Sequence, residues 1–213
     1  MKILVTGATG ATGQEIVRQA LVAGHEVVAL VRSEEKAAAL LPGARLVVGD
    51  GRDAAALARA VEGCEAVISA LGTRNVTFVK KVTVNSESTC SLVGAMKTAG
   101  VSRLVCITGL GAGDSAGHGG FLYDRIVKAF IIRTIYHDKD RQEAVVRSSG
   151  LDWVIVRPSV LNDKPASGRI RAFTDLTGFN GGTIPRADVA AFVLAQVKSD
   201  RWLRQTPLIT GDR

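Results

Sequence analysis

Met-Lys-Ile-Leu-Val-Thr-Gly-Ala-Thr-Gly-Ala-Thr-Gly, residues 1–13, is the stretch that decides the fold. Its apolar residues 3–5 predict a buried strand, and three glycines at Gly7, Gly10 and Gly13 follow before a helical pattern begins. Gly7 allows a sharp turn off the strand, Gly10 allows backbone N–H groups to approach a pyrophosphate, and Gly13 allows the helix to lie close to the sheet. Because the unpaired N–H groups and the dipole at a helix start favour anions, the stretch predicts a phosphate site.

The spacing of these glycines differs from the usual dinucleotide fingerprint. That fingerprint is G-x-G-x-x-G, whereas the first two glycines here are three residues apart. A glycine-rich turn after a buried strand is the alternative interpretation. The order of strand, turn and helix favours the nucleotide site.

Strands and helices alternate along the rest of the chain. This alternation predicts an α/β fold, a doubly wound parallel sheet of the Rossmann type with helices on both faces. A length of 213 residues with 46% hydrophobic content suits a single domain, 1–213. Residues 207–210 are expected to add a last edge strand. The other strands are predicted at 26–31, 45–48, 66–70, 104–108 and 153–156.

The residues after the second strand bear on the choice of coenzyme. A carboxylate at this strand end would bond the ribose 2′-hydroxyl of NAD, whereas an arginine accommodates the 2′-phosphate of NADP. The chain has Arg32 here, with Ser33 beside it and Lys36 one turn on. These residues favour NADP, and the alternative is that Arg32 is a solvated residue at a strand end. Glu34 and Glu35 have the opposite charge but lie where a helix N-terminus favours acids.

Later strand ends and two glycine-rich segments are expected on the ligand side of the sheet. Ligands of such sheets lie beyond the carboxyl ends of the strands, so Asp50, Gly72 and Thr73 are expected near the cofactor. Residues 109–120 have no pattern for a packed element and suit a lid over a substrate, with a long surface loop as the alternative. Residues 162–182 suit loops and small strands that shape a substrate pocket after the sixth strand.

Charge and cysteine content narrow the classes of partner and compartment. The formal charge is +7, but the Lys and Arg residues are scattered, so we expect an anionic cofactor rather than nucleic acid. Cys64, Cys90 and Cys106 lack metal-type spacing and suit small buried side chains, which predicts no metal site and a reducing compartment. A first strand at residue 2 leaves no room for a signal peptide, and no apolar run suits a membrane span, so we expect a cytoplasmic protein. The oligomeric state, monomer or homodimer, stays open.

Five short motifs give the chain a family resemblance. With them the chain resembles the atypical short-chain dehydrogenases/reductases with an NAD(P)-binding Rossmann fold, in particular the NmrA-like biliverdin-IX-beta reductase/flavin reductase type. The motifs are Gly-Ala-Thr-Gly-x-Thr-Gly at 7–13, Leu-Val-Arg at 30–32, Val-Val-Gly-Asp at 47–50, Leu-Gly-Thr-Arg-Asn at 71–75 and Ala-Met-Lys at 95–97.

The resemblance implies contacts with each part of NADP. The glycine stretch would contact the pyrophosphate, the end of the second strand the 2′-phosphate, and Asp50 with Gly51 the adenine. Residues 71–74 would lie at the ribose, and Thr108 with residues 158–160 would flank the nicotinamide. The cofactor-binding residues expected from the motifs and the resemblance are Gly7, Thr9, Gly10, Ala11, Thr12, Arg32, Ser33, Lys36, Asp50, Gly51, Leu71, Gly72, Thr73, Arg74, Thr108, Pro158, Ser159 and Val160.

The chain departs from that family pattern where chemistry would take place. Gly109 stands where the flavin reductases have a serine, and Val160 where they have a histidine, which argues against biliverdin as the substrate. Their helix histidine corresponds to Lys139, which resembles the catalytic lysine of other short-chain reductases. Those enzymes use Tyr-x-x-x-Lys, whereas Tyr136 precedes Lys139 by three residues, a spacing that still lies on one helix face. We therefore expect Lys139 and Thr108 to be catalytic, with Tyr136 as a further candidate hydroxyl.

Two classes of function follow, with a third alternative. The first is an NADP-dependent oxidoreductase that transfers hydride from NADPH to a flavin, a quinone or a small carbonyl compound. The second is a regulator that senses NADP without turnover, like the nitrogen-metabolite-repression relatives, and the absence of a strict Tyr-x-x-x-Lys motif favours it. For Lys139 the alternative is that residues 138–141 are one solvated, charged helix start. An NAD-dependent, epimerase-like enzyme is the third, although the region after the sixth strand is short for a sugar-nucleotide domain. The roles of Tyr123 and Tyr136 stay open.

Overall fold

A computed structural model describes residues 1–72, 82–118 and 133–212. Within these ranges the chain forms an α/β fold whose strands and helices alternate as the sequence predicts. The strands are β1 (Lys2–Thr6), β2 (Glu26–Val31), β3 (Arg45–Val48), β4 (Ala66–Ser69), β5 (Arg103–Ile107), β6 (Asp152–Pro158), β7 (Val160–Asn162), β8 (Ile170–Phe173), β9 (Thr183–Pro185) and β10 (Leu208–Gly211). The helices are α1 (Ala11–Val22), α2 (Glu34–Ala38), α3 (Ala54–Val61), α4 (Val84–Ala99), α5 (Arg133–Arg147) and α6 (Arg186–Ala195).

The main sheet has the order β3-β2-β1-β4-β5-β6-β10-β8 in the described part of the chain. All neighbours are parallel except β10 and β8, which are antiparallel. The order reverses between β1 and β4, which is the crevice where doubly wound sheets bind ligands. The prediction of a doubly wound, mostly parallel sheet is confirmed.

The expectation that residues 207–210 form an edge strand is wrong. Leu208 and Ile209 of β10 pair with β6 on one side, and the whole strand pairs with β8 on the other. Because β8 takes the edge, both of these β10 side chains are fully buried. The short strands β7 and β9 form a separate parallel pair beside this end of the sheet.

Alternation along the strands fills two hydrophobic layers, one on each face of the sheet. Ile3 and Val5 lie in the layer that also contains Ile16 of α1 and Val189 of α6. Leu4, between them in sequence, lies in the opposite layer with residues of α3 and α4. Each such buried aliphatic side chain contributes about 1.5–3 kcal/mol relative to an exposed one. Burial on both faces explains why these strands are continuous apolar runs.

The segment after β5 is packed, contrary to the expectation for a glycine-rich loop. Leu110, Ala112 and Ser115 are buried, and residues 113–115 form a short 3₁₀ turn. Residues 119 and 120, and with them Tyr123, lie outside the described residues.

Three further expectations concern the burial of the cysteines, membrane-spanning helices and metal ligands. Cys64 and Cys106 are buried as expected, but Cys90 is exposed. No helix within the described ranges is long and apolar enough to cross a membrane. No cluster of three or more His, Cys, Asp or Glu residues in those ranges could hold a metal ion.

Candidate cofactor and active site

The turn from β1 into α1 is shaped by two glycines that the fold itself requires. Gly7 has φ +72°, and a Cβ there would meet the main chain of Ala70, with the carbonyl carbon at 2.6 Å. A Cβ at Gly13 would lie 2.8 Å from Cα of Ala8. Gly7 therefore allows the turn, and Gly13 allows α1 to pack against it.

Gly10 is less constrained by the described part of the fold than Gly7 and Gly13. It caps α1 in an ordinary extended conformation, with φ −74°. A Cβ would meet the Gly7 carbonyl oxygen at 3.3 Å, and no other atom of the described residues beyond the adjoining ones lies within 4 Å. The first N–H groups of α1, around Ala11 and Thr12, have no acceptor within the helix. This space at a helix N-terminus fits a phosphate, and a side chain at position 10 would fill it.

The end of β2 presents positive charge to the same side of the sheet. Arg32 and Lys36 are exposed, and Ser33 caps α2. Among residues 1–72, 82–118 and 133–212, no carboxylate lies within ion-pair distance of Arg32. Its charge does reach Asp50, whose pKa is lowered first by hydrogen bonds with Arg52 and to a smaller extent by Arg32.

The turn after β3 carries the residues expected at the adenine. Asp50 pairs with Arg52, with Nε and Oδ1 2.8 Å apart. Gly51 lies against α4, because a Cβ there would be 2.9 Å from Oγ of Ser88. Leu71 and Gly72 follow β4, whereas Thr73 and Arg74 lie outside the described residues.

The structure brings Thr108 and Lys139 together, in an arrangement that the sequence does not indicate. Thr108 follows β5, and its main-chain carbonyl oxygen accepts a hydrogen bond of 2.7 Å from Lys139 Nζ. Burial lowers the pKa of Lys139, and the nearby carboxylates of Glu143 and Asp138 offset part of this effect. Tyr136, one turn earlier on α5, donates its hydroxyl to the carbonyl oxygen of Leu110 at 2.8 Å. Lys139 and Tyr136 thus both contact the segment after β5.

Sequence reasoning missed a buried ionic cluster beside this contact. Glu143 and Arg157 are 2% exposed each and form a two-point pair. Arg157 also bonds Asp114, and Glu143 accepts the Thr108 hydroxyl. Burial opposes the charge of Arg157, but its bonds to Glu143 and Asp114 hold its pKa above the usual value. A signal was present in the sequence, since an arginine directly after the apolar run 153–156 has to find a buried partner.

Residues 158–160 connect the end of β6 with the region after it. The Pro158 carbonyl oxygen accepts from Leu110 N at 2.9 Å. Ser159 is buried and donates its hydroxyl to Oγ1 of Thr210 at 3.1 Å, while Val160 is 44% exposed. Val160 N donates to the carbonyl oxygen of Gly182 at 3.1 Å.

A cavity of about 680 Å³ lies next to residues 158–160. Gly182 and Thr210, which bond Val160 and Ser159, are part of its wall. Much of the segment expected to shape a substrate pocket, 162–182, therefore does line a cavity. The described residues that line it are Arg171, Phe173, Asp175, Thr177, residues 178–182, Thr183, Thr210, Gly211 and Asp212.

Cys106 of β5 is close to this site, but its thiol is not expected to react. It is fully buried, and burial raises the pKa of its thiol to about 12. Because the thiolate is the nucleophilic form, a thiol with this pKa does not act as a nucleophile near neutral pH.

The fold and the glycine turn define a Rossmann-type nucleotide-binding protein. Comparison with known sequences is more specific: the family described as NAD(P)H-binding matches residues 7–200, and the chain belongs to this family. The resemblance to the atypical short-chain dehydrogenases/reductases is thereby confirmed. Its members include NAD(P)-dependent oxidoreductases and epimerases, which sets the general class of activity.

Individual relatives in sequence and in structure differ in their described roles. YhfK of Bacillus subtilis, an uncharacterized sugar epimerase, is 30% identical over 92% of this chain and 88% of its own length. Ycf39 of Synechocystis, a photosystem II assembly factor, is 39% identical over 54% of this chain but only 35% of its own length. The solved structure of ChuY, an anaerobillin reductase from Escherichia coli O157:H7, matches with a TM-score of 0.84 and 26% identity, covering 99% of this chain and 97% of that one.

Proposed function

We propose that the protein is an NADPH-dependent reductase that transfers hydride to a small acceptor, namely a flavin, a quinone or a carbonyl compound. The observation that carries the proposal is the position of the Lys139–Thr108 contact relative to the glycine turn. β1, β4 and β5 are adjacent and in register, so Thr108 lies about two strand spacings, roughly 10 Å, from Gly7 at the same edge of the sheet. That separation suits the pyrophosphate at the glycine turn and the nicotinamide at Thr108 in one extended dinucleotide.

Arg32 and Lys36 support NADP rather than NAD as the coenzyme. An exposed guanidinium without an ion-pair partner in the described residues is available to a 2′-phosphate, with which it can form charge-assisted hydrogen bonds. A carboxylate at this position would repel that phosphate. Asp50 is nearby but is paired with Arg52.

The chain's own residues would hold the coenzyme and stabilise charge. Bound NADPH supplies the hydride. The start of α1 would bind the pyrophosphate, and residues 158–160 would border the nicotinamide beside the cavity. Lys139 Nζ, held on the Thr108 carbonyl oxygen, would place an ammonium where negative charge develops on the acceptor. The lowered pKa of Lys139 also makes its proton easier to release.

One observation favours a second candidate, a coenzyme-binding regulator without turnover. Thr108, Tyr136 and Lys139 each donate to a protein acceptor, so these groups also serve to hold the segment after β5. The description of Ycf39 as an assembly factor is consistent with a role of this kind. The description of YhfK as a sugar epimerase similarly keeps the epimerase-like alternative in view.

The test is NADPH oxidation with free flavin first, then quinones and small carbonyls, at saturating coenzyme. We expect measurable turnover and a loss of about 10²-fold or more in Lys139→Ala, with NADPH affinity changed much less, because the contact would act mainly in the transition state. Lys97→Ala, which removes an exposed lysine of α4, is the control and should behave like wild type. Tight NADPH binding without reduction of any acceptor would overturn the reductase proposal in favour of the regulator.

A further inference from the structure

The hydroxyl group of Thr108 donates its single proton in a hydrogen bond within the protein. Thr108 is 6% exposed, and Oγ1 donates to Oε1 of Glu143 at 2.8 Å. A hydroxyl has one donor hydrogen and two acceptor lone pairs. With the hydrogen on a carboxylate, Thr108 can only accept from any other partner.

Glu143 is held so firmly that this direction is fixed. Oε1 accepts from Arg157 Nε at 2.9 Å, and Oε2 accepts from Arg157 Nη2 at 2.6 Å. Such a two-point pair between a guanidinium and a carboxylate constrains both orientation and distance. Arg147 lies further out, with Nη2 3.6 Å from Oε2 of Glu143. Turning the carboxylate away would leave Arg157 buried without its main partner.

The main chain of Thr108 is fixed on one side by β6 and on the other by α5. Thr108 N donates to the carbonyl oxygen of Val156 at 2.9 Å, and Lys139 holds the Thr108 carbonyl. Further along, Gly113 N donates to Oδ1 of Asp140 at 2.7 Å. A Cβ at Gly113 would meet the Arg157 guanidinium and would lie 3.0 Å from Oε2 of Glu143. The segment therefore packs directly on the ion pair.

We propose that Glu143 is a positioning residue that makes Thr108 a hydrogen-bond acceptor for the carboxamide N–H of the nicotinamide. The inference rests on the proposed function, which puts the nicotinamide end of the coenzyme at the carboxyl end of β5. The reacting oxygens of quinones and carbonyl compounds are acceptors, which do not pair with an acceptor-only hydroxyl. The carboxamide NH₂ is the donor that the nicotinamide ring offers. Thr108 consequently does not protonate the substrate.

The test compares binding of NADPH with that of its reduced 3-acetylpyridine analogue, whose methyl ketone lacks the N–H donor. Calorimetric titration should show NADPH bound about tenfold more tightly by wild type, the usual order for a buried hydrogen bond left unmade. Thr108→Val should bring that ratio close to one, and Thr108→Ser should retain it. A ratio near one in wild type, or an unchanged ratio in Thr108→Val, would overturn the inference.

Glu143→Gln separates positioning from general support of the fold. The change replaces a carboxylate oxygen by an NH₂ group, although Glu143 accepts hydrogen bonds from Thr108 and Arg157. Because Thr108 is then no longer held as an acceptor, the ratio of NADPH affinity to analogue affinity should fall at least threefold. A merely structural role would weaken both ligands equally and leave the ratio unchanged, which would also overturn the inference. If Glu143→Gln fails to fold by circular dichroism, the two Thr108 variants decide the question. The binding ratio is independent of turnover, so a wild type that binds NADPH and reduces nothing refutes the reductase without affecting this test.

Discussion

Gly7, Gly10 and Gly13 have the same side chain and different physical constraints. Gly7 has a positive φ and lies against Ala70, and Gly13 lies against Ala8, so the fold excludes larger residues at both positions. Gly10 has a φ that any residue adopts and one neighbour at 3.3 Å. The sequence motif predicts the turn at Gly7 and the close packing at Gly13 correctly. It does not predict the contact of Gly7 with Ala70, because Ala70 follows β4, which is distant in sequence.

Gly10→Val should fold and lose NADPH binding. Its side chain would occupy the phosphate space at the start of α1, while the protein around it needs small adjustment. Gly13→Val is the matched control, and overpacking there should lower the free energy of unfolding by about 1–3 kcal/mol or more. Circular dichroism during urea unfolding and NADPH titration of the same samples make the comparison. Normal NADPH affinity in Gly10→Val would contradict the phosphate site.

The lowered pKa of Lys139 predicts how the free energy of unfolding changes with pH. This pKa lies below the ordinary lysine value of 10.5 because partial burial of the residue desolvates the charged ammonium. Between the lowered pKa and 10.5 the unfolded chain binds a proton that the folded protein has released, so the free energy of unfolding rises with pH in that window. Below the lowered pKa, the cost of burying the charged form is present in full.

The measurement is urea unfolding of wild type and Lys139→Met at several pH values. The stability of wild type relative to the variant should increase from neutral pH toward 10.5, since the variant lacks the titrating group. Lys97→Met, which removes an exposed lysine of α4, is measured alongside as the control. A flat difference for Lys139→Met would mean that the lysine is not desolvated.

At the level of elements, α5 fastens three other parts of the chain. Through Tyr136 and Lys139 it binds the segment after β5, and through Glu143 it binds the end of β6. Asp138, fully buried on the same helix, accepts from Asn85 N at 2.8 Å and from Ser86 Oγ at 2.5 Å at the start of α4. The helix is therefore the structural frame of the candidate active site.

Arg157→Met should strongly destabilise the protein. It leaves the Glu143 carboxylate buried without its two-point partner, and removal of one member of a buried ion pair costs about 3–5 kcal/mol. Asp163→Ala breaks the Arg186–Asp163 pair, in which Asp163 is 83% exposed, and should cost less than about 1 kcal/mol. The midpoints and slopes of urea unfolding give both values. A loss below 1 kcal/mol in Arg157→Met would refute this account of the cluster.

These elements also show how far the sequence could predict the site. The strands β1 to β6 were predictable because each contains a short apolar run. The ion pair and the packed segment after β5 were not, because Arg157 and Asp114 are 43 residues apart and no local pattern joins them. The glycine-rich composition of residues 109–118 wrongly suggested that the segment does not pack. The buried side chains of Leu110 and Ala112 anchor it, but glycines outnumber them in the sequence. The position of β8 at the sheet edge was also not predicted. Its partner β10 is the last strand in the described chain, so no local pattern joins the two strands.

The whole molecule places its candidate coenzyme contacts along one edge of the sheet. The turns after β1, β2, β3, β4 and β5 all lie at the carboxyl ends of parallel strands. Arg32 and Lys36 provide positive charge at this edge, whereas the net formal charge of +7 is spread over the chain. Because total charge is diffuse, coenzyme choice depends on the local groups at the end of β2.

Thermal unfolding should distinguish the two coenzymes in the intact protein. A ligand present at one hundred times its dissociation constant stabilises the folded state by about 2.7 kcal/mol, which raises Tm by roughly 5–10 °C for a chain of this size. We expect that shift with NADPH and, if NADH binds tenfold more weakly, a stabilisation about 1.4 kcal/mol smaller at the same concentration.

Removing the guanidinium at the end of β2 should erase the difference. In Arg32→Ala the NADPH shift should fall to that of NADH, because the charge-assisted contact with the 2′-phosphate is lost while the NADH complex has no such contact to lose. Arg45→Ala is the matched control: it removes another exposed arginine, at the opposite, amino end of β3, and should leave both shifts unchanged. Equal shifts for the two coenzymes in wild type, or a full NADPH shift in Arg32→Ala, would contradict NADP as the preferred coenzyme and leave NAD as the better candidate.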